Sequence, residues 1–185
     1  MRAWLTCGGI ALLISVLAAP VTAQDDPAPT GPAPLTINYV EGRVDVARDT
    51  GVLPAQAPDL LDDGDRLITA SGRAELVFAD GSVVHVDHDT DVRIDGEARL
   101  RIVRGHIIVR TSAALEGDGL VVGTPAGLVR FSPRGEYDVS ASDLDGDTIV
   151  GTMRGQAALL MASTEVPVGP EDVLHIDPRD RKSVV

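Results

Sequence analysis

The sequence predicts an all-β protein, either two packed antiparallel sheets or a flattened, solenoid-like β-roll of short strands. Short runs rich in Val, Ile and Leu follow residue 35, and Gly, Asp and Pro interrupt them about every ten residues. No long segment in this region repeats its apolar residues with the period of an amphipathic helix. A hairpin with apolar residues on both faces further indicates that a second layer covers the sheet.

The hairpin is predicted from two strand-like runs, Arg73–Phe78 and Ser82–Asp87, which meet at Asp80-Gly81. An Asp-Gly pair suits the positive φ angles of a tight type I′ turn. A two-residue loop would pair Phe78 with Val83, Val77 with Val84 and Leu76 with His85.

The amino-terminal segment has the layout of a cleavable secretory signal. Arg2 precedes an apolar run from Leu5 to Ala19, and small residues before Gln24 fit a cleavage site. We therefore expect a signal peptide over residues 1–23, cleavage after Ala23, and a periplasmic or secreted mature protein. The alternative is an uncleaved membrane anchor, although the apolar run is short for one.

The rest of the chain is expected to form one domain between two unstructured ends. Residues 24–34 are rich in proline and predict a disordered tether. The folded domain is expected over residues 35–176 and a charged flexible tail over residues 177–185.

Composition excludes several classes of function. The one cysteine, Cys7, lies inside the expected signal, so the mature protein would have no disulfide, thiolate metal site or cysteine nucleophile. The net charge of −12 is spread along the chain and repels nucleic acid and anionic lipid. We therefore expect no nucleic-acid partner and no membrane span after signal cleavage.

A strand–glycine–strand pattern occurs at unequal intervals along the chain. We interpret each glycine as a bend or bulge that lets the chain continue into the next strand. The copies are Ile37–Val46 around Gly42, Leu100–Val109 around Gly105, and a weaker copy, Ile149–Leu159, around Gly155.

Short motifs follow one another in order over roughly residues 37–176. They are a Gly-Asp-x-Leu-x-Thr turn, an Asp-Gly-Ser hairpin, a polar turn and later Gly, Thr-Pro and Tyr positions. The residues of these motifs are Gly64, Asp65, Thr69, Asp80, Gly81, Ser82, Gly105, Thr124, Pro125, Gly135, Tyr137 and Gly155. This ordered series resembles the FecR domain, and the resemblance implies structural roles for these residues.

The best-known FecR proteins are inner-membrane regulators of ferric-siderophore uptake with a cytoplasmic anti-sigma segment. In this sequence only Met1–Trp4 precede the apolar run. The resemblance therefore implies a stand-alone exported FecR-domain protein rather than a transmembrane regulator.

Two acidic clusters are candidate metal sites, each with a structural alternative. His85, Asp87, His88 and Asp91 could supply ligands for a divalent cation, but a strand followed by a polar turn explains the same residues. The segment Asp143–Asp147 has alternate carboxylates around Gly146, and a solvated turn explains it better than a calcium loop.

We expect a non-catalytic binding or scaffold module of the cell envelope, without a cofactor, because no catalytic motif such as Gly-x-Ser-x-Gly occurs. The expected partner is a protein or a cell-envelope polymer, bound at an exposed strand edge. One alternative is a component of an iron- or stress-responsive cell-surface signalling system. The other is a metal-dependent or enzymatic module that uses the His85–Asp91 cluster.

Overall fold

The computed structural model describes residues 35–114 and 119–177. The expected signal peptide (1–23), the tether (24–34) and all of the tail after Asp177 lie outside the described residues. Within the described residues, no helix has the length and apolar character needed to cross a bilayer.

The described residues form short strands joined by turns, which confirms the predicted all-β class. The strands are β1 (Leu35–Glu41), β2 (Val44–Arg48), β3 (Gly51–Pro54), β4 (Asp59–Leu61), β5 (Arg66–Thr69), β6 (Arg73–Val77), β7 (Val83–Val86), β8 (Asp91–Ile94), β9 (Arg99–Arg110), β10 (Val121–Gly123), β11 (Leu128–Phe131), β12 (Glu136–Ala141), β13 (Thr148–Arg154), β14 (Ala157–Met161), β15 (Thr164–Val168) and β16 (Val173–Ile176).

The strands make two sheets that share the long strand β9. The second half of β9 pairs with β7 and β12 in a first sheet, of order β4-β1-β6-β7-β9-β12-β13-β16. Its first half pairs with β8 and β10 in a second sheet, of order β3-β2-β5-β8-β9-β10-β11-β14-β15. The result is one open, 16-stranded hydrogen-bonded network, antiparallel except for the parallel pair β9–β10.

Each glycine of the strand–glycine–strand pattern lies where the chain passes between the sheets. Gly42 separates β1 from β2, Gly105 lies inside β9, and Gly155 separates β13 from β14. All three have positive φ, at 69°, 101° and 94°, a region in which glycine has no steric penalty. The predicted role of these glycines as bends is therefore confirmed.

The bend at Gly105 is also a close contact between neighbouring segments. A Cβ atom at Gly105 would lie 2.5 Å from the Cα atom of Thr90. The Thr90 hydroxyl accepts a hydrogen bond from the His106 N–H at 3.0 Å. Strand β9 can therefore turn here only because no side chain separates it from Thr90.

The two sheets enclose a single hydrophobic core. Alternate residues of most strands are buried, and buried side chains from both sheets belong to one cluster. Tyr137 is its largest fully buried side chain. The Tyr137 hydroxyl oxygen lies 3.0 Å from the Ser132 carbonyl oxygen and 3.1 Å from the Gln156 carbonyl oxygen, so its polar end is satisfied inside the core.

Glycines make room for the Tyr137 ring. A Cβ atom at Gly135 would lie 1.9 Å from the Tyr137 hydroxyl oxygen, and one at Gly155 would lie 2.4 Å from it. The implied structural roles of Gly135, Tyr137 and Gly155 thus belong to one buried contact.

The predicted register of the Asp80-Gly81 hairpin is wrong by one residue. Strand β6 pairs with β7 as Val77 to Val83 and Glu75 to His85. The loop has three residues rather than two. The Gly81 N–H donates to the Phe78 carbonyl at 2.9 Å and closes a turn, and Gly81 itself has a positive φ of 83°. A three-residue loop of this kind shifts the pairing of one arm relative to a two-residue loop.

Candidate binding surface

The shifted register places His85 on the outer face of the first sheet. Its partner across the strands is Glu75 rather than Leu76, and the His85 Nδ1 atom lies 3.4 Å from the Glu75 carboxylate. His85 is therefore a half-exposed polar residue and not a packed core residue.

The other candidate metal ligands face different partners. Asp91 is buried and receives the Arg66 Nε–H at 2.6 Å, whereas His88 is exposed beside Asp89. Asp87 receives the Arg73 Nε–H at 2.7 Å. Among residues 35–114 and 119–177, no group of three or more His, Cys, Asp or Glu residues could hold a metal ion.

A row of four charged or titratable side chains crosses the outer face of the first sheet. Arg73 on β6 pairs with Asp87, the His106 Nδ1 atom lies 3.4 Å from Asp87, and the His106 Nε2 atom lies 2.9 Å from Asp138 on β12. We call these residues the polar row. The two carboxylates hold the imidazole of His106 from both sides.

The polar row changes the acidity of its members. The hydrogen bond from Arg73 lowers the pKa of Asp87 to about 2, against the opposing effect of burial. The hydrogen bond with Asp138, followed by the weaker effect of Asp87, raises the pKa of His106. Both groups are therefore biased toward their charged forms.

A shallow groove of about 330 Å³ lies beside the polar row. Its lining combines the exposed ring of Tyr39 and the side chain of Ile108 with charged and titratable groups. The lining residues are Tyr39, Glu41, Arg73, Ala74, Glu75, His85, Val86, Asp87, His106 and Ile108.

The motif residues near the start of the domain have structural contacts. The buried Asp65 carboxylate accepts the Arg48 Nε–H and the Asp62 N–H, both at 3.1 Å. The Thr69 hydroxyl accepts the Thr90 N–H at 2.9 Å, and this contact joins β5 to the turn before β8.

The later motif residues stabilise turns. Asp80 accepts the Ser82 N–H at 2.8 Å, and the Ser82 hydroxyl in turn accepts the Ser112 N–H at 3.0 Å. Thr124 and Gly127 close a tight turn between β10 and β11. Pro125 is exposed inside that turn.

The acidic segment Asp143–Asp147 is the turn between β12 and β13. The Gly146 N–H donates to the Ser142 carbonyl at 3.1 Å, and Gly146 has a positive φ of 79°. The Asp147 carboxylate lies 3.5 Å from the His175 ring, which connects this turn to β16.

Both sheets end in edge strands because neither closes into a barrel. The edges of the first sheet are β4 and β16, and those of the second sheet are β3 and β15. An edge strand exposes unpaired N–H and C=O groups that can pair with another chain. The molecule thus offers a groove on one outer face and several strand edges as contact surfaces.

Comparison with known proteins identifies relatives of this fold. Residues 65–158 match the family model described as FecR protein. No curated protein matches the chain.

Two crystal structures of a candidate anti-sigma factor from Parabacteroides distasonis ATCC 8503, at 1.65 and 2.50 Å resolution, are similar to it. Their sequence identities are 16% and 18%, with TM-scores of 0.49 and 0.50. Each comparison covers 60% of this chain and 53% of the other, so the chain spans about half the length of these structures. At this identity the second structure supports the fold alone.

Proposed function

The chain belongs to the FecR family, and from this premise we propose that it is an exported, non-catalytic binding module of a cell-surface signalling system. Its partner in this proposal is a protein that adds a strand to an open sheet edge. The family match over residues 65–158 supports the signalling context. The open 16-stranded network is the observation that carries the binding mode.

The acidity of Asp87 does not favour a catalytic role for this carboxylate. A general acid or base works best with a pKa near the operating pH. The pKa of Asp87 instead falls to about 2, so this carboxylate stays charged at neutral pH. Asp87 is also engaged by Arg73, and His106 is engaged by Asp87 and Asp138, so these groups stabilise one another across the strands.

The distribution of aromatic rings favours a protein partner over a polysaccharide. Phe78, Phe131 and Tyr137 are buried, whereas Tyr39 is 53% exposed. Sugar-binding surfaces commonly stack several aromatic rings, and the described surface has no such cluster. Main-chain pairing at an edge needs no aromatic surface.

Affinity capture tests this proposal. The full chain, with its own amino-terminal segment and a carboxy-terminal tag, is expressed in its host and captured from the cell-envelope fraction after mild crosslinking. We expect one envelope protein to be enriched relative to a matched chain that lacks residues 1–23 and remains in the cytoplasm. Recovery of cell-wall fragments with no enriched protein would contradict the protein-partner proposal.

A further inference from the structure

The edges of the second sheet are blocked by proline. Directly after β3, the Ala55 N–H donates to the Val44 carbonyl at 2.8 Å. Because hydrogen-bonded and non-hydrogen-bonded pairs alternate between antiparallel strands, the backbone groups of Val52 and Pro54 point away from β2. Pro54 has no N–H to offer. Edge strand β15 likewise contains Pro167. Proline on an edge removes a donor and discourages strand pairing.

The β4 edge of the first sheet is capped by side chains. The Leu60 carbonyl accepts the Arg48 guanidinium N–H at 2.8 Å, and the Leu60 N–H donates to the Asp59 carboxylate at 2.9 Å. Strand β1 runs past the end of β4. There a register shift in the pairing of β1 with β6, between Ile37 and Tyr39, interrupts the regular spacing of the backbone hydrogen-bonding groups of β1. This side of the sheet therefore presents no regular free ladder.

The β16 edge has neither of these blocks. The Thr152 N–H donates to the Asp172 carbonyl at 3.0 Å. Because every second residue of an antiparallel strand bonds to the same neighbour, Leu174 and Ile176 make the next hydrogen bonds to β13. The N–H and C=O groups of Val173 and His175 consequently point away from the sheet, and no described residue pairs with them. Two donors and two acceptors thus stand at regular strand spacing.

The surroundings of β16 determine which strand fits. Glu171 and Asp172 are exposed at its start, and the Asp147 carboxylate lies beside His175. On the outer face, Val173 is 65% exposed and Ile149, opposite His175, is 36% exposed. An incoming strand would therefore meet acidic groups near both ends of β16 and apolar side chains along its face.

We infer that β16 is the edge that receives the partner strand, and that this strand is an extended protein segment combining basic and apolar side chains. This inference rests on the proposed function, since it names the edge and the chemistry of the partner. A second copy of the chain is a poor occupant because its own β16 carries the same acidic flank and its net charge is −12.

Site-specific photo-crosslinking tests the inference in the host cell with the full chain. The photoreactive residue p-benzoylphenylalanine replaces Val173 on β16, Val52 on β3 or His85 in the groove, one position at a time. Val52 is the matched control because it is 63% exposed and also lies on an edge strand. We expect a protein adduct from position 173, with the crosslinked partner peptide containing Lys or Arg within an apolar extended segment.

Backbone variants then separate strand pairing from simple proximity. In the chain with the crosslinker at position 173, His175→Pro removes the outward N–H, whereas His175→Ala removes the side chain and keeps that donor. We expect His175→Pro to lower the adduct yield by about tenfold, the effect of losing one hydrogen bond of typical strength, and His175→Ala to change it little. Thermal unfolding of both variants establishes that each remains folded.

The outcomes distinguish this inference from the proposed function. Equal adduct yields from folded His175→Pro and His175→Ala, or adducts from position 52 or 85 with none from 173, would overturn the role of β16 while leaving a binding module. Absence of a protein adduct from all three positions would count against both the inference and the proposed function.

Discussion

At the scale of single residues, the polar row shows how the strands bring distant side chains together. Arg73 and Asp87 are 14 positions apart, Asp87 and His106 are 19 apart, and His106 and Asp138 are 32 apart. Each side chain occupies an outward position of a strand or of the turn that follows it. The row joins the strands of the first sheet on their solvent side.

His106 makes the stability of the protein depend on pH. Asp138, and more weakly Asp87, raises the pKa of His106 above its ordinary value of 6.5, while Arg73 faces Asp87 from the next strand. Because the folded-state pKa is the higher one, the stabilisation is complete below the unfolded-state pKa and disappears as the pH rises through the folded-state pKa. We expect the wild type to exceed His106→Gln in free energy of unfolding by more at about pH 5 than at about pH 8.5.

Urea denaturation at both pH values measures this difference, and Asp87 supplies a check of opposite sign. The pKa of Asp87 falls from 3.8 to about 2, so its stabilisation is present above 3.8 and disappears as the pH falls through about 2. The variant Asp87→Asn should therefore lose less stability than the wild type over that acidic interval. A His106→Gln difference that does not change with pH would show that folding leaves the pKa of His106 at its unfolded-state value.

The sequence located the four residues of the candidate metal site, but it did not predict which side chains they contact in the fold. His85, Asp87, His88 and Asp91 are close in sequence, and alternation along a strand sends neighbouring side chains to opposite faces. The polar row escaped sequence reasoning because its contacts depend on the register of β7, β9 and β12. The sequence does show charged or polar residues at outward positions of several strands. It does not show which of these strands lie next to one another.

At the scale of elements, strand β9 connects the two sheets and its bend depends on Gly105. We expect Gly105→Ala to cost about 3 kcal/mol or more, because it adds backbone strain at φ of 101° to a collision with Thr90. Gly64→Ala is the matched control, since Gly64 has φ of 93° and open space around it, and should cost about 1–2 kcal/mol.

Chemical denaturation of both variants at one pH measures the two costs. Equal losses for Gly105→Ala and Gly64→Ala would show that the contact with Thr90 adds nothing beyond the backbone conformation. A larger loss at Gly105 would support close packing at the bend as the feature that allows β9 to belong to both sheets.

The strands were predictable from alternating apolar residues, whereas their exact pairing was not. The Asp80-Gly81 pair correctly marked the hairpin, but the sequence does not distinguish a two-residue loop from a three-residue loop with a positive-φ glycine. The difference of one residue moves His85 from Leu76 to Glu75. Tertiary packing decides it, because Leu76 and Val84 must both face the core.

At the scale of the whole molecule, the protein is an open, two-sheet member of the FecR family with one core and unequal edges. Proline or side-chain caps protect the edges at β3, β15 and β4, and β16 remains regular and uncapped among the described residues. The sequence predicted the all-β class and an edge contact. It could not rank the edges, because the strand order depends on pairings distant in sequence.

Native mass spectrometry of the protein purified from an envelope extract, with its own amino-terminal segment encoded, tests whether the chain is an exported binding module. We expect a chain that begins at Gln24, carries no stoichiometric metal, and is accompanied by a complex with one protein partner. A chain that retains residues 1–23 would contradict export by cleavage. A metal-loaded chain with no protein partner would contradict the non-catalytic binding module.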